Sequence, residues 1–359
     1  MSLSDAQLFA WIEHLEHCPS CRARLSGRLP GDAMYQAILD RASTQALAAS
    51  SRIAEEASSA PDHLTELLKL SASDRAMAIA REPRFKNYSL ANYILDISET
   101  AVAYNPQLAL LLARLARSIT THIDPRTCGG TEALADLGAY ALAREGNAQR
   151  VSGDMTAALA AFARARDVQT RGGVDPDLTG RINSLESSLR RDLRQTQEAL
   201  SLLGRAAETF LALEDHERWL STQINCANTL IVQEEFDHAC TLLGDLLSQT
   251  GEPQAVFLIR HNLTSALAFA GRASEASRLH EETRELYDRF SAPLITSRRR
   301  WLEALIARGL GEDRRAGSLL EEVSAELDER GYAFDAALVR LDLGKVRAAR
   351  QGSEPLRVC

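Results

Sequence analysis

The residues most suited to chemistry stand near the start of the chain, where His14, Cys18 and Cys21 follow one another at short intervals. The stretch from Asp5 to Glu16 predicts a helix that carries His14 and Cys18 on one face. Pro19 then ends that helix and opens another, with Cys21 in its first turn. One imidazole and two thiolates arranged in this way match three corners of the tetrahedral shell that zinc prefers. The sequence therefore predicts one Zn2+ site with these three ligands.

With Arg22 and Leu25 after it, this cluster resembles the zinc-binding anti-sigma-factor domain, a small zinc finger whose family binds and sequesters sigma factors. Members of that family carry a further His or Cys on an earlier helix, and the fourth ligand is not identified here. Either the protein begins upstream of Met1, or His17, water or a partner completes the shell, or the site has decayed. The resemblance implies a transcription regulator with an N-terminally truncated head. The alternative is an amphipathic helix with two incidental thiols.

Helix-breaking residues and changes in composition along the chain predict three domains. Gly27, Pro30 and Gly31 end the zinc-binding head, which is therefore assigned to residues 1–30. Residues 31–85 are predicted to be a helical linker with capping helices, because a polar, Ala- and Ser-rich stretch is followed by apolar helical spacing from Asp62. Residues 86–359 are predicted to be a solenoid of repeats.

The repeat signal is strongest between Ala139 and Thr170. Small and aromatic residues fall there at helical offsets, namely Gly146, Gly153, Ala158, Phe162 and Ala165. The first glycine would let two helices approach closely, the second would end the first helix in a tight turn, and the other three would share one face of the second helix. This helical hairpin cannot bury its apolar face alone, and its spacing resembles a tetratricopeptide repeat.

Other segments repeat this pattern in phase. The small residue that corresponds to Ala158 recurs as Ala109, Ala199, Ala239, Ala276 and Ala316. The turn position is occupied by Gly153, Gly271 and Gly311 in three hairpins and by Arg194 and Glu234 in two others. The intervals exceed the roughly 34 residues of the standard repeat, so the helices or loops are extended. The predicted fold class is all-α, a right-handed superhelical solenoid of degenerate hairpins that ends in an unpaired first helix.

Composition narrows the classes of function. Hydrophobic residues make up 45% and aromatic residues only 5%, so Ala and Leu supply the apolar content, as suits closely packed helices. A net charge of −8 does not favour direct binding to nucleic acid or to an anionic membrane. No apolar run is long enough to span a bilayer, and no secretory signal is visible. We therefore expect a cytoplasmic protein.

In a tetratricopeptide-like solenoid, the first helices of the hairpins line the inner groove. The repeat phase places seven side chains on that face: Asn147, Arg150, Arg191, Asn228, Arg298, Trp301 and Arg308. Four are arginines and none is acidic, so the groove is predicted to be locally positive. Guanidinium groups bind carboxylates through paired hydrogen bonds, and a tryptophan offers an apolar anchor. The predicted ligand is an acidic segment of a protein or peptide partner.

No motif in the chain indicates an enzyme. His280, Glu281 and Glu282 lack the second histidine of a metalloprotease helix, so they are predicted to be an exposed helix face. His122 and Cys128 lie in a loop without a group to orient the imidazole. Two hypotheses remain. In the first, the protein is a transcription regulator that combines a zinc head, whose family binds sigma factors, with a peptide-binding groove. In the second, it is a plain scaffold or assembly adaptor with no functional zinc site.

Overall fold

The computed structural model describes His14, Cys18, residues 52–173 and residues 175–353. The chain divides into two compact units, Met1–Ser59 and Ala60–Cys359. The described residues contain helices and no strand. The helices are α1 (52–69), α2 (Ala72–Arg81), α3 (Tyr88–Ala101), α4 (Pro106–Thr120), α5 (Thr131–Val151), α6 (Met155–Gln169), α7 (Pro176–Asp192), α8 (Thr196–Ala212), α9 (His216–Val232), α10 (Phe236–Gln249), α11 (Pro253–Phe269), α12 (Ala273–Glu282), α13 (Arg284–Arg289), α14 (Pro293–Gly309), α15 (Asp313–Glu329) and α16 (Ala333–Ser353).

From α3 onward the helices form antiparallel hairpins, and α16 is a first helix that no second helix follows within the described residues. Local sequence signals mark the first residues of several helices. The side chain of Ser71 caps α2, and the side chain of Asn87 accepts a hydrogen bond of 2.7 Å from the backbone N–H of Leu90 at the start of α3. Proline occupies the first helical position of α4, α7, α11 and α14, where a backbone N–H has no partner within the helix.

The hairpin of α5 and α6 confirms the predicted crossing. A Cβ atom added at Gly146 would lie 2.9 Å from the ring of Phe162, so only glycine permits this approach of the helices. Phe162 is 1% exposed and Ala165 is fully buried. The in-phase alanines are likewise 0% exposed in all six hairpins, at Ala109, Ala158, Ala199, Ala239, Ala276 and Ala316. The repeats are thus joined by one recurring small-residue contact.

The turn between the two helices of a hairpin has the same backbone form whether or not it contains glycine. Gly153, Gly271 and Gly311 have positive φ angles of 86°, 77° and 81°. Arg194 and Glu234, at the equivalent positions, have φ angles of 64° and 66°. Residues with a side chain rarely adopt this left-handed conformation, so these two turns carry backbone strain that the surrounding packing offsets.

Within the second unit, the last hairpins return to the early ones. The backbone N–H of Leu294, near the start of α14, donates a hydrogen bond of 3.2 Å to the carbonyl of Ala103, just after α3. Val151 at the end of α5 belongs to the same apolar cluster as Val339 of α16. Because of these contacts, the inner face of the repeats forms a cavity that is partly open to solvent.

The helix α5 lies inside this arrangement. Every residue from Ala139 to Gln149 is buried, including Arg144 and Glu145. Two arginines of α4 pair with the buried carboxylate of Glu145, Arg114 at 2.9 Å and Arg117 at 3.0 Å. A helix that is buried on all sides needs such partners for its charged side chains. No helix among the described residues is long and apolar enough to cross a membrane.

Candidate functional site

The cavity inside the second unit has a volume of about 390 Å³. Its walls come mainly from the first helices of the hairpins, α5, α7, α9, α11 and α14, and from α16. The residues that line it are Arg150, Arg191, Asp192, Arg194, Asn228, Ile231, Val232, Glu234, Phe236, His261, Asn262, Ser265, Phe269, Arg298, Trp301, Leu302, Leu305, Phe334, Asp335, Leu338, Leu341, Asp342 and Lys345.

The carboxylate of Asp192 organises one wall. It accepts a hydrogen bond of 2.5 Å from Arg150 and bonds of 3.1 and 3.2 Å from Arg191, and its side chain is only 6% exposed. Burial alone would raise the pKa of Asp192, but the two guanidinium groups hold it below its usual value. Burial also lowers the pKa of Arg191, which remains a cation at neutral pH. Asn147 lies behind this wall and fixes Arg150, since its side-chain oxygen accepts from Arg150 at 3.0 and 3.2 Å.

Another wall of the cavity is α16. Its acidic residues accept hydrogen bonds from α14 and from a lysine of α16 itself. Asp335 accepts a hydrogen bond of 2.8 Å from Nε of Arg298. Burial opposes the charge of Arg298, but Asp335 outweighs it and raises the pKa of that guanidinium. Asp342 accepts a bond of 3.0 Å from the indole N–H of Trp301 and pairs at 2.9 Å with Lys345.

The cavity therefore carries both positive and negative side chains. The sequence predicted a locally positive groove, and the structure corrects that prediction. Five basic side chains line it, and four carboxylates accompany them, at Asp192, Glu234, Asp335 and Asp342. A buried guanidinium without a counter-charge would be costly, so the fold supplies a carboxylate beside each buried arginine. Arg298 lines the cavity and uses only its Nε in hydrogen bonds to described residues, so its two Nη groups remain available as donors.

His261 adds a neutral polar group to the wall. Its Nδ1 lies 2.7 Å from the hydroxyl of Tyr287. Burial, followed by the nearby charge of Arg298 and by His280, lowers the pKa of His261 to about 4. The imidazole is therefore uncharged at neutral pH and offers one donor and one acceptor nitrogen.

Apolar side chains and free amides complete the lining. The rings of Phe236 and Phe269 stack with their centroids 6.3 Å apart, and Leu341 is 63% exposed. The amide of Asn228 makes no hydrogen bond to any described residue and carries both a donor and an acceptor. A pocket with an apolar wall and a few directed polar groups is suited to a peptide, whose backbone amides pair with an asparagine while its side chains contact the rings.

The structure brings most of the predicted groove residues together. Arg150, Arg191, Asn228, Arg298 and Trp301 all line the cavity. Asn147 is buried behind Arg150 and makes contact with it, as described above. Arg308 is exposed and does not line the cavity, because α14 turns that position outward.

The predicted zinc ligands are described only in part. His14 and Cys18 lie on one helical turn, since the backbone N–H of Cys18 donates a hydrogen bond of 2.9 Å to the carbonyl of His14. Cys21 lies outside the described residues. Among the residues that are described, no group of three His, Cys, Asp or Glu side chains could hold a metal ion. Zinc binding by His14, Cys18 and Cys21 therefore stays a prediction.

Sequence reasoning missed the whole wall formed by α16. Phe334, Leu338, Leu341 and Lys345 recur at intervals of three to four residues and share one helical face. This periodicity was visible in the sequence. Without a second helix after α16, however, the repeat phase gave no reason to place that face against the groove.

The comparisons with known proteins concern the fold. No family model matches the chain, and no curated protein matches it. Among solved structures, a Rap protein complexed with Competence and Sporulation Factor is 12% identical with a TM-score of 0.51, and the match covers 79% of this chain and 81% of that one. Aspartyl phosphate phosphatase F from Bacillus subtilis is 13% identical with a TM-score of 0.48, and the match covers 100% and 98%. The apo form of RapI is 11% identical with a TM-score of 0.45, and the match covers 78% and 77%.

At these identities the first likeness shows the fold alone, which is a tetratricopeptide-like helical repeat. None of the comparisons shows an anti-sigma-factor domain. The class of protein that the fold and the cavity define is a helical repeat protein whose last hairpins close its inner face.

Proposed function

We propose that the second unit binds a peptide or an extended protein segment in its cavity, and that the protein acts through this binding as a non-enzymatic regulator. The observation that carries the proposal is that one cavity gathers four side chains from three helices, namely Arg191 of α7, Asn228 of α9, and Arg298 and Trp301 of α14. A protein of the same fold, the Rap protein named above, is complexed with a factor, which supports a binding role for this architecture.

The chemistry of the walls suggests which peptide fits. The free Nη groups of Arg298 suit a carboxylate of the ligand, either an acidic side chain or a C-terminus. The amide of Asn228 suits a backbone peptide group, and the stacked rings of Phe236 and Phe269 suit an apolar side chain. The expected ligand is therefore a short segment with one acidic and one apolar anchor.

The experiment is a selection of peptides from a displayed random library on the wild-type protein, followed by calorimetric titration of the enriched peptides. The test variant is Arg298→Asn with Asp335→Asn, because removing both partners leaves no unpaired buried charge. Arg308→Asn is the matched control, since Arg308 is exposed and outside the cavity. Arg150→Glu is unsuitable, because it would place a second carboxylate against Asp192.

We expect the enriched peptides to carry an acidic residue or to depend on a free C-terminus. The double variant should bind them about tenfold more weakly, which is the loss of one charged hydrogen-bond pair. Arg308→Asn should bind them like wild type. Absence of any enriched peptide, or equal binding by the two variants, would reject the cavity as a peptide site and favour a plain scaffold.

For the first unit we propose what the resemblance to the anti-sigma-factor domain implies, namely a zinc-binding head whose partner is a sigma factor. The support is the spacing of His14, Cys18 and Cys21, of which the first two share a helical turn. Elemental analysis of the purified protein should find about one zinc per chain, and a Cys18→Ser, Cys21→Ser double variant should carry much less. Equally low zinc in both proteins would remove the proposal, and with it the link to sigma factors.

A further inference from the structure

A second concave surface lies away from the cavity, between the second helices α4 and α6, and we call it the α4–α6 groove. Its floor is the face of α5 that carries Leu134, Gly138 and Leu142, and Val168 of α6 adds to it. The groove has a volume of about 610 Å³. None of the residues predicted for the peptide-binding groove lines it.

The rim of the α4–α6 groove is basic. Arg117 of α4, Arg164 of α6 and Arg171 just after α6 line it, and none of the described residues that line it is acidic. Arg117 pairs with the buried Glu145, whose carboxylate it shares with Arg114. Arg164 and Arg171 are exposed and make no ion pair with any described residue. Two exposed arginines without an ion pair to described residues therefore stand beside an apolar floor, with the exposed Asp167 about one helical turn from each.

A groove between the second helices α10 and α12, which lies nearer the turn of its hairpin than the α4–α6 groove does, has a different charge pattern. That groove is lined by two arginines and two glutamates. Each arginine there pairs with a glutamate of its own helix, Arg272 with Glu275 at 2.7 Å and Arg278 with Glu282 at 3.9 Å. The α10–α12 groove is thus neutralised from within, whereas the α4–α6 groove leaves its charge for an external group.

The spacing of the floor fits a helix. Leu134, Gly138 and Leu142 follow one another at four-residue intervals, so they form a stripe of about 12 Å along α5. Gly138 opens the middle of that stripe: an added Cβ would lie 3.8 Å from Val168 and 4.0 Å from Thr120, which is ordinary contact distance. An amphipathic helix presents an apolar stripe of the same kind, with charged residues on both flanks.

We propose that the α4–α6 groove docks an acidic amphipathic helix of a partner protein. The apolar stripe of that helix would lie on Leu134 and Leu142, and its flanking carboxylates would meet Arg164 and Arg171. Charge complementarity carries the choice of occupant. The lining holds no aromatic side chain on which bases could stack, and an apolar floor flanked by arginines fits the apolar stripe and flanking carboxylates of a helix.

The probe is a fluorescein-labelled helical peptide with Leu along one face and Glu on both flanks of that face, and binding is followed by fluorescence anisotropy. A second peptide has Lys in place of every Glu. The test variant of the full chain is Arg164→Glu with Arg171→Glu. The matched control is Arg205→Glu with Arg314→Glu, because these arginines are also exposed on second helices, carry no ion pair among the described residues and line neither groove. Gly138→Leu fills the floor without changing the charge.

We expect the Glu peptide to bind wild type and the Lys peptide to bind at least about tenfold more weakly. Arg164→Glu with Arg171→Glu and Gly138→Leu should each weaken the Glu peptide by about tenfold or more, while the control double variant stays within about twofold of wild type. Equal binding of the two peptides, or equal losses in the test and control variants, would overturn the proposal. If sedimentation shows that the wild type self-associates and that Arg164→Glu with Arg171→Glu does not, the occupant is a second copy and the proposed separate partner is wrong.

Peptide binding in the cavity and helix docking in the α4–α6 groove fail independently. The variants for one surface leave the other untouched, so loss of one activity does not mimic loss of the other.

Discussion

The hairpin of α5 and α6 and the hairpin of α11 and α12 occupy equivalent places in the repeat but cross on different side chains. In the first, Gly146 meets the ring of Phe162. In the second, the repeat phase puts Thr264 and His280 at the same two positions. Thr264 is fully buried, and its hydroxyl donates a hydrogen bond of 2.7 Å to the carbonyl of Arg260 in its own helix.

The polar crossing coincides with an interrupted helix. The second helix of the early hairpin runs without a break from Met155 to Gln169, whereas α12 ends at Glu282 and α13 begins at Arg284. Thr283, between them, stands where the early hairpin has Ala165, and its hydroxyl bonds back to the carbonyl of Leu279 at 2.7 Å. Such back-bonding competes with regular helix geometry.

Three of the four remaining crossings share one size relation. The same alignment pairs a small residue with a larger one in three further hairpins, and all six residues are 1% exposed or less: Ser187 with Leu203, Ala227 with Leu243, and Ala304 with Leu320. Complementary size is therefore common to these crossings, while the residue types vary. A polar pair such as Thr264 and His280 keeps the size relation but not the apolar contact.

The largest expected effect tests this difference directly. Phe162→Ala should lower the free energy of unfolding by about 3–5 kcal/mol, because it leaves a cavity against Gly146 that the helices cannot fill. His280→Ala should cost about 1–2 kcal/mol, because it removes a side chain whose buried Nε2 makes no hydrogen bond to described residues. Urea denaturation followed by circular dichroism measures both. Equal losses would mean that the two crossings contribute alike to the free energy of unfolding.

How far the sequence predicts the fold depends on how local each signal is. The hairpin of α5 and α6 was predictable because Gly146, Gly153 and Phe162 each point to the same geometry. His280 was not, because beside Glu281 and Glu282 it has the pattern of an exposed helix face. The structure corrects that expectation: both glutamates are exposed, but the side chain of His280 is only 13% exposed. Its burial depends on α14, which is distant in the sequence.

The same limit applies to the cavity. Arg150, Arg191 and Arg298 could be placed on the inner face because they follow the repeat phase. Their partners Asp192 and Asp335 could not be recognised as partners, because pairing depends on how neighbouring hairpins rotate. The closure of the inner face rests on contacts between remote segments, such as the bond from Leu294 to Ala103, which no periodicity encodes.

A smaller effect distinguishes the two hairpins by pH, since the stretch from Thr131 to Gln169 contains no histidine while α11 and α12 each contain one with a lowered pKa. His261 faces the hydroxyl of Tyr287 and the charges of Arg298 and His280. The pKa of His280 is lowered first by burial and then by the charge of Arg299, while the charge of Glu303 opposes this shift.

Because the pKa of His261 in the folded chain, about 4, lies below the ordinary histidine value of 6.5, between these two pH values the unfolded chain binds a proton at His261 and the folded chain does not. The loss of folding stability caused by His261 is therefore absent above about pH 6.5, grows as the pH falls, and levels off below about pH 4. Partial exposure of the ring keeps the loss of stability at about 2 kcal/mol, less than the full pKa difference would give.

The measurement is the free energy of unfolding from pH 7 to pH 4 for wild type, His261→Gln and the control His238→Gln, whose histidine is exposed on α10. Carboxylates titrate in the same range in all three proteins, so the informative quantity is the difference in slope. Wild type and His238→Gln should lose about 2 kcal/mol more than His261→Gln over this range, even if loss of the Tyr287 contact lowers the stability of His261→Gln at pH 7. Parallel curves for the three proteins would show that His261 titrates alike in the folded and unfolded chain. The cavity wall at α11 would then be open to water, and the hairpin of α11 and α12 would differ from that of α5 and α6 in shape alone.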